Sequence, residues 1–86
     1  MDYETEIING NKCVVRHIFK AHEIEIGSRW QSADGGKLIA TIEGLNEYGS
    51  ENPWIEVVYS YVLNGEKLTY EKDVFNFQCR YCLIVD

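Results

Sequence analysis

A single proline in 86 residues excludes a proline-rich or collagen-like segment. No apolar run approaches the roughly 18 residues that a membrane-spanning helix needs. Basic residues are scarce too: eight Lys and Arg face fourteen Asp and Glu, for a net charge of -6 and a pI near 4.8. Protein–nucleic acid affinity rests largely on cations that neutralise phosphates, so nucleic acid is a disfavoured partner. Anionic membrane surfaces are disfavoured for the same reason. The acidic start Met1-Asp2-Tyr3-Glu4 lacks the basic stretch of a signal peptide, which leads us to expect a cytoplasmic protein. Three cysteines cannot all pair within one chain, so free thiols are expected rather than a disulfide scaffold.

Recognisable catalytic motifs are also missing. The chain has no Gly-x-Ser-x-Gly, no phosphate-binding loop, no dinucleotide glycine pattern and no His-Glu-x-x-His. Cys79-Arg80-Tyr81-Cys82 supplies half a zinc site, and Cys13 with His17 or His22 would have to complete it. No second close-spaced pair sets that geometry, so the thiols read as small buried apolar groups and no metal or other cofactor is expected. A general base needs a nucleophile or a substrate pocket beside it, and neither His17 nor His22 has one legible in the sequence. The chain is therefore read as a non-enzyme.

What is present is a set of turn signals between β-rich runs, in a chain of one domain's length. Asn9-Gly10 and Asn64-Gly65 supply the positive φ angles of tight hairpins, and Asp34-Gly35-Gly36 marks a third reversal. Trp54–Leu63 is the strongest strand: Ile55, Val57, Tyr59, Tyr61 and Leu63 alternate along one face. Leu38–Ile42, His22–Ile26, Lys67–Tyr70 and Tyr81–Val85 read as further strands. Residues 46–53 read as a long loop, and residues 72–80 as a turn or short helical turn. The segment Lys12–His22 fits both helical and strand spacing, and its β-branched residues favour strand. The expected fold is mainly β: a small antiparallel barrel over residues 23–86, with an added hairpin over residues 1–22.

From Gly27 to Val85 the chain resembles small SH3-like barrel domains of phage and prophage genomes. The features that carry the likeness are Gly27-Ser28-Arg29-Trp30 as an opening strand and Asp34-Gly35-Gly36-Lys37 as a turn. A long central hairpin through Asn64-Gly65 follows, and Asp73-Val74-Phe75 precedes an aromatic closing strand. The resemblance implies an accessory or host-interacting binding module and brings no catalytic residues with it.

A partner-binding surface is expected where aromatic and acidic residues meet. Glu43, Glu47, Glu51 and Glu56 form the densest run of one charge sign, and Tyr48 and Trp54 flank it. Exposed aromatics beside charge are common at protein-binding hot spots, so the expected partner is a host protein with a basic surface, such as a nucleic-acid-handling or defence enzyme. Two other readings stay open. A nucleic-acid accessory domain would stack bases on Trp30, Tyr59 and Tyr61. A self-assembling subunit would pair through an exposed edge strand.

Overall fold

Both Asn-Gly turns close hairpins. Asn9 and Gly10 take φ of 49° and 82° between β1 (Thr5–Ile8) and β2 (Asn11–Val14). Asn64 and Gly65 take 53° and 79° between β5 (Trp54–Leu63) and β6 (Glu66–Asp73). These left-handed angles match the twist of the flanking strands, and Gly adopts them without a Cβ clash. The computed structural model describes residues 2–85.

The remaining elements are β3 (Arg29–Ser32), β4 (Ile39–Tyr48), the one-turn helix α1 (Val74–Gln78) and β7 (Tyr81–Leu83). Five strands form one antiparallel sheet in the order β6-β5-β4-β3-β7, and β1 and β2 form a separate two-stranded sheet. The fold is mainly β. Pairing runs in a single line, and among the described residues no ladder joins β6 to β7 to close a barrel. The hairpin meets the sheet at β7, where Cys13 bridges Ile84 and the Val85 N–H donates to the Lys12 carbonyl at 2.8 Å.

Three expected boundaries move. The segment expected as a strand over Lys12–His22 is extended only to Val14; Arg16 then takes a φ of 55°, and residues 15–20 run without regular structure. His22–Ile26 is not a strand: Ala21–Glu23 form a single 3-10 turn, in which the Glu23 carboxylate accepts the Lys20 N–H at 2.8 Å. Ile24 is buried there, but Ile26 is exposed, so the isoleucine alternation had no sheet beneath it. The loop expected over 46–53 shrinks because β4 runs on to Tyr48.

That extension depends on a bulge. Ile42 faces Tyr59 and Gly44 faces Val58, so Glu43 is an extra residue without its own partner. Before the bulge, Ala40 and Ile42 turn into the core. After it, Leu45, opposite Val57, is on the core face, and Asn46 and Tyr48 are on the other.

The core lies between the sheet, the helix and the irregular strap of residues 15–20. Trp30 is its centre, with Phe19 at 5.9 Å and Phe77 at 5.3 Å, both edge-on. Phe77 in turn stacks on Tyr81 at 4.8 Å and touches Tyr59 at 5.0 Å. Offset and edge-on contacts suit the quadrupoles of aromatic rings, and each buried ring removes on the order of 150–250 Å² from water. The helix starts because Asp73 caps it, accepting N–H bonds from Phe75 at 3.3 Å and Asn76 at 3.1 Å.

Two buried glutamines fasten the irregular parts. The Gln78 side chain accepts the Phe19 N–H at 2.8 Å and donates to the Phe19 carbonyl at 2.9 Å, pinning the strap to the helix. Gln31 accepts from Asn11 at 2.9 Å and donates to the Gly36 carbonyl at 2.6 Å, joining the N-terminal hairpin to the turn after β3. A buried amide costs free energy unless its bonds are made, and both of these are satisfied.

Candidate functional site

At the far end of the β4–β5 pair, Tyr48 lies opposite Trp54 on the face of the sheet turned away from the core. Their rings stack at 5.7 Å with planes 29° apart, yet Trp54 keeps 49% of its surface exposed and Tyr48 39%. Gly49 makes the close approach feasible. Its φ is +83°, and a Cβ there would stand 3.0 Å from the Trp54 ring and 2.8 Å from the Asn52 carbonyl oxygen. The bulge at Glu43 supplies the second condition, since plain alternation from Ile42 would send Tyr48 to the core face.

Carboxylates hold the polar ends of both rings. The Trp54 Nε1–H donates to Glu56 Oε2 at 2.9 Å. The Tyr48 hydroxyl donates to Glu71 Oε2, which also accepts from Asn46 at 3.3 Å. The Glu71 bond holds the Tyr48 phenol above its ordinary pKa, with desolvation adding to the shift. The result is a fixed aromatic surface with two negative charges at its rim.

The six residues expected at this surface separate into groups. Tyr48, Trp54 and Glu56 lie together at this end of the sheet. Glu43 stands on the same face but is engaged at the bulge, accepting from the Ser60 hydroxyl and pairing with Lys67 Nζ at 3.3 Å. Those contacts, the Ser60 bond first, hold its carboxyl below the usual range. Glu47 faces Ile55, one position out of phase with Tyr48, and so belongs to the opposite face. Glu51 is exposed in the turn between the strands. Glu71 and Asn46 were not anticipated. Glu71 lies 23 residues from Tyr48 and reaches it only through the β5–β6 register, which no local pattern reveals.

The aromatics proposed for base stacking are placed differently. Trp30 and Tyr59 are buried, and Tyr61 is half-buried and stacked on Tyr70 at 5.5 Å. A hydrogen bond to Tyr70, with desolvation, pushes the Tyr61 phenol up to about 12. These rings offer no free stacking platform.

The cysteines are dispersed. Cys13 is wholly buried with its thiol directed at the Asn11 carbonyl, Cys79 is exposed at the end of α1, and Cys82 is half-buried in β7. Desolvation, with Glu6 nearby, raises the Cys82 thiol, which opposes the thiolate form that metals bind. Among the described residues no three His, Cys, Asp or Glu side chains are grouped to hold a metal ion. No described helix is long and apolar enough to cross a membrane. Three surface hollows of about 270–370 Å³ occur elsewhere, along the strap, the 3-10 turn and the turn after β3, none of them at the Tyr48–Trp54 pair. Compared with family models, curated proteins and solved structures, the chain finds no match.

Proposed function

We propose that the chain is a non-catalytic binding module whose acidic, aromatic face engages a protein with a basic surface. The observation that carries this reading is the exposed Tyr48–Trp54 stack bounded by Glu56 and Glu71. A cation over an aromatic face gains roughly 0.5–2 kcal/mol, and Trp is the best of the rings. Here the rings are already immobilised, so a Lys or Arg from a partner meets them with little ordering cost, and the two carboxylates complement its charge. Lost order is a principal cost of association, and this surface has met part of it on folding.

The sharper form of the proposal places the module in a phage or prophage, acting in the cytoplasm on a host enzyme that handles nucleic acid or mediates defence. The chain would occupy a basic groove and block it by bulk and charge. An SH3-like barrel belongs to the same reading. It is supported by the opening strand, the central hairpin, the Asp73-capped turn before β7, and the pairing of that last strand with β3.

Titration with an oligo-arginine peptide, followed by tryptophan fluorescence, tests the recognition chemistry. Trp54 is exposed and Trp30 buried, so the change reports Trp54. Binding should weaken as salt rises and, followed by calorimetry in the two variants that lack this fluorophore, survive Trp54→Phe in part and be lost in Trp54→Ala. Equal binding by the alanine variant, or affinity indifferent to salt, rejects the proposal.

A further inference from the structure

The strand β6 is an edge, and its sequence reads as the complement of itself. It pairs with β5 through eight consecutive residues without a bulge, and among the described residues no strand pairs with its other side. The turn bond joins Leu63 to Glu66, and inward and outward groups alternate from there along an antiparallel ladder. Lys67, Thr69 and Glu71 therefore direct both their N–H and C=O groups away from β5. No hydrogen bond among the described residues takes them up. A long regular edge of this kind is a template for another strand.

From this we infer that β6 is a dimerisation edge, pairing antiparallel with β6 of a second copy about a two-fold axis at Thr69. That register sets Thr69 against Thr69, Lys67 against Glu71 and Glu66 against Lys72. All the charges placed opposite one another are then of opposite sign. Leu68 faces Tyr70 on the core side, where Tyr70 is 45% exposed. The outward-directed residues also fall opposite one another, so the ladder bonds form in the same register that matches the charges.

Neighbouring registers that keep the outward groups together do worse. An axis at Lys67 or at Glu71 sets like charges face to face, and an axis at Leu68 gives no charge pair within the strand. An axis at Tyr70 pairs only Lys67 with Asp73 and leaves Lys72 against Leu68. Lysines on an edge ordinarily keep other strands away. Here each lysine of the edge finds a carboxylate when the incoming strand is another copy, so the same charges that repel foreign strands select this one. The other outer edge, β1, has four residues and a single charge, Glu6, and offers no comparable match.

Sedimentation velocity at low salt, from low micromolar to near-millimolar protein, tests the inference. The wild-type mass should rise with concentration towards twice the 10.0 kDa of one chain. Amide exchange at Lys67, Thr69 and Glu71 should slow in parallel. Thr69→Pro removes an outward N–H that β5 does not use, so it should abolish pairing while leaving the circular dichroism unchanged. Glu66→Lys and Lys72→Glu should each lose pairing alone and regain it when the two variants are mixed. A wild-type chain that stays monomeric throughout, pairing that survives Thr69→Pro, or charge variants that fail to restore one another would overturn it. Glu71 borders the Tyr48–Trp54 surface and is left unchanged in every variant, whereas the substituted positions Glu66, Thr69 and Lys72 make no contact with either ring. Failure of pairing is therefore distinguishable from failure of the oligo-arginine titration.

Discussion

The molecule has two tryptophans, both on strands of one sheet, and they have opposite roles. Trp30 is 2% exposed, wedged between Phe19 and Phe77, with its indole N–H given to the Ser28 hydroxyl at 3.0 Å. Trp54 is half exposed, backed by one ring, with its N–H given to a carboxylate. Both polar atoms are satisfied, so hydrogen bonding does not separate the two. The surroundings do: three segments distant in sequence converge on Trp30, and only a local hairpin supports Trp54. Stability is thus concentrated at one end of the sheet, leaving an ordered aromatic surface at the other with little of the fold resting on it.

The largest expected difference comes from truncating each ring. Trp30→Ala should cost about 3–5 kcal/mol, the range for emptying a well-packed aromatic site, and in a chain this small it should unfold much of the population. Trp54→Ala should cost about 1 kcal/mol, in line with one stacked pair at a surface. Urea denaturation of both variants measures the contrast, and equal losses would abolish the distinction between the two ends.

A smaller effect should come from the strap that closes over Trp30. Gln78→Leu keeps the side-chain volume but leaves the Phe19 N–H and C=O buried without partners, at a cost of about 1–3 kcal/mol. The Tyr48–Trp54 stack lies outside this contact, so oligo-arginine binding should persist at temperatures where the variant remains folded. Loss of binding in step with the strap would show that the two ends are coupled.

The smallest effect concerns pH. Glu43 titrates below the ordinary carboxylate value in the folded chain, chiefly through the Ser60 hydrogen bond and then Lys67. Its contribution is therefore present above the unfolded-state pKa and is lost as pH falls through the lower folded-state value. The melting temperature of Glu43→Gln should lie slightly below wild type at neutral pH, and the two should converge in acid. A gap that widens in acid would contradict this assignment.

Much of the architecture could be read from local chemistry. Each Asn-Gly pair marked a hairpin, and the alternation from Ile55 to Leu63 identified the core face of β5. Trp54, after Pro53 and beside acidic residues, was legible as an exposed aromatic. The misreadings share one cause, which is that alternation alone cannot show whether a neighbouring strand exists. Ile24 and Ile26 alternate with glutamates, yet no strand pairs with them. Beyond Ile42 the pattern of β4 changes phase at the bulge, so a continuing strand resembled a loop. Glu71, Gln31 and Gln78 act across 20 to 59 residues of sequence, and only the tertiary fold brings their partners near.

The bulge at Glu43 has a consequence for how this chain can change length. Because β4 holds one residue more than its ladder uses, a chain lacking that residue would still set Ile42 against Tyr59 and Gly44 against Val58. Both flanking runs would keep their orientation, at the cost of the Ser60 and Lys67 contacts alone. The strand thus carries a spare link, placed between the half that builds the interior and the half that presents Tyr48. Loss of that link is a deletion the aromatic surface should outlast, with Trp54 fluorescence unchanged.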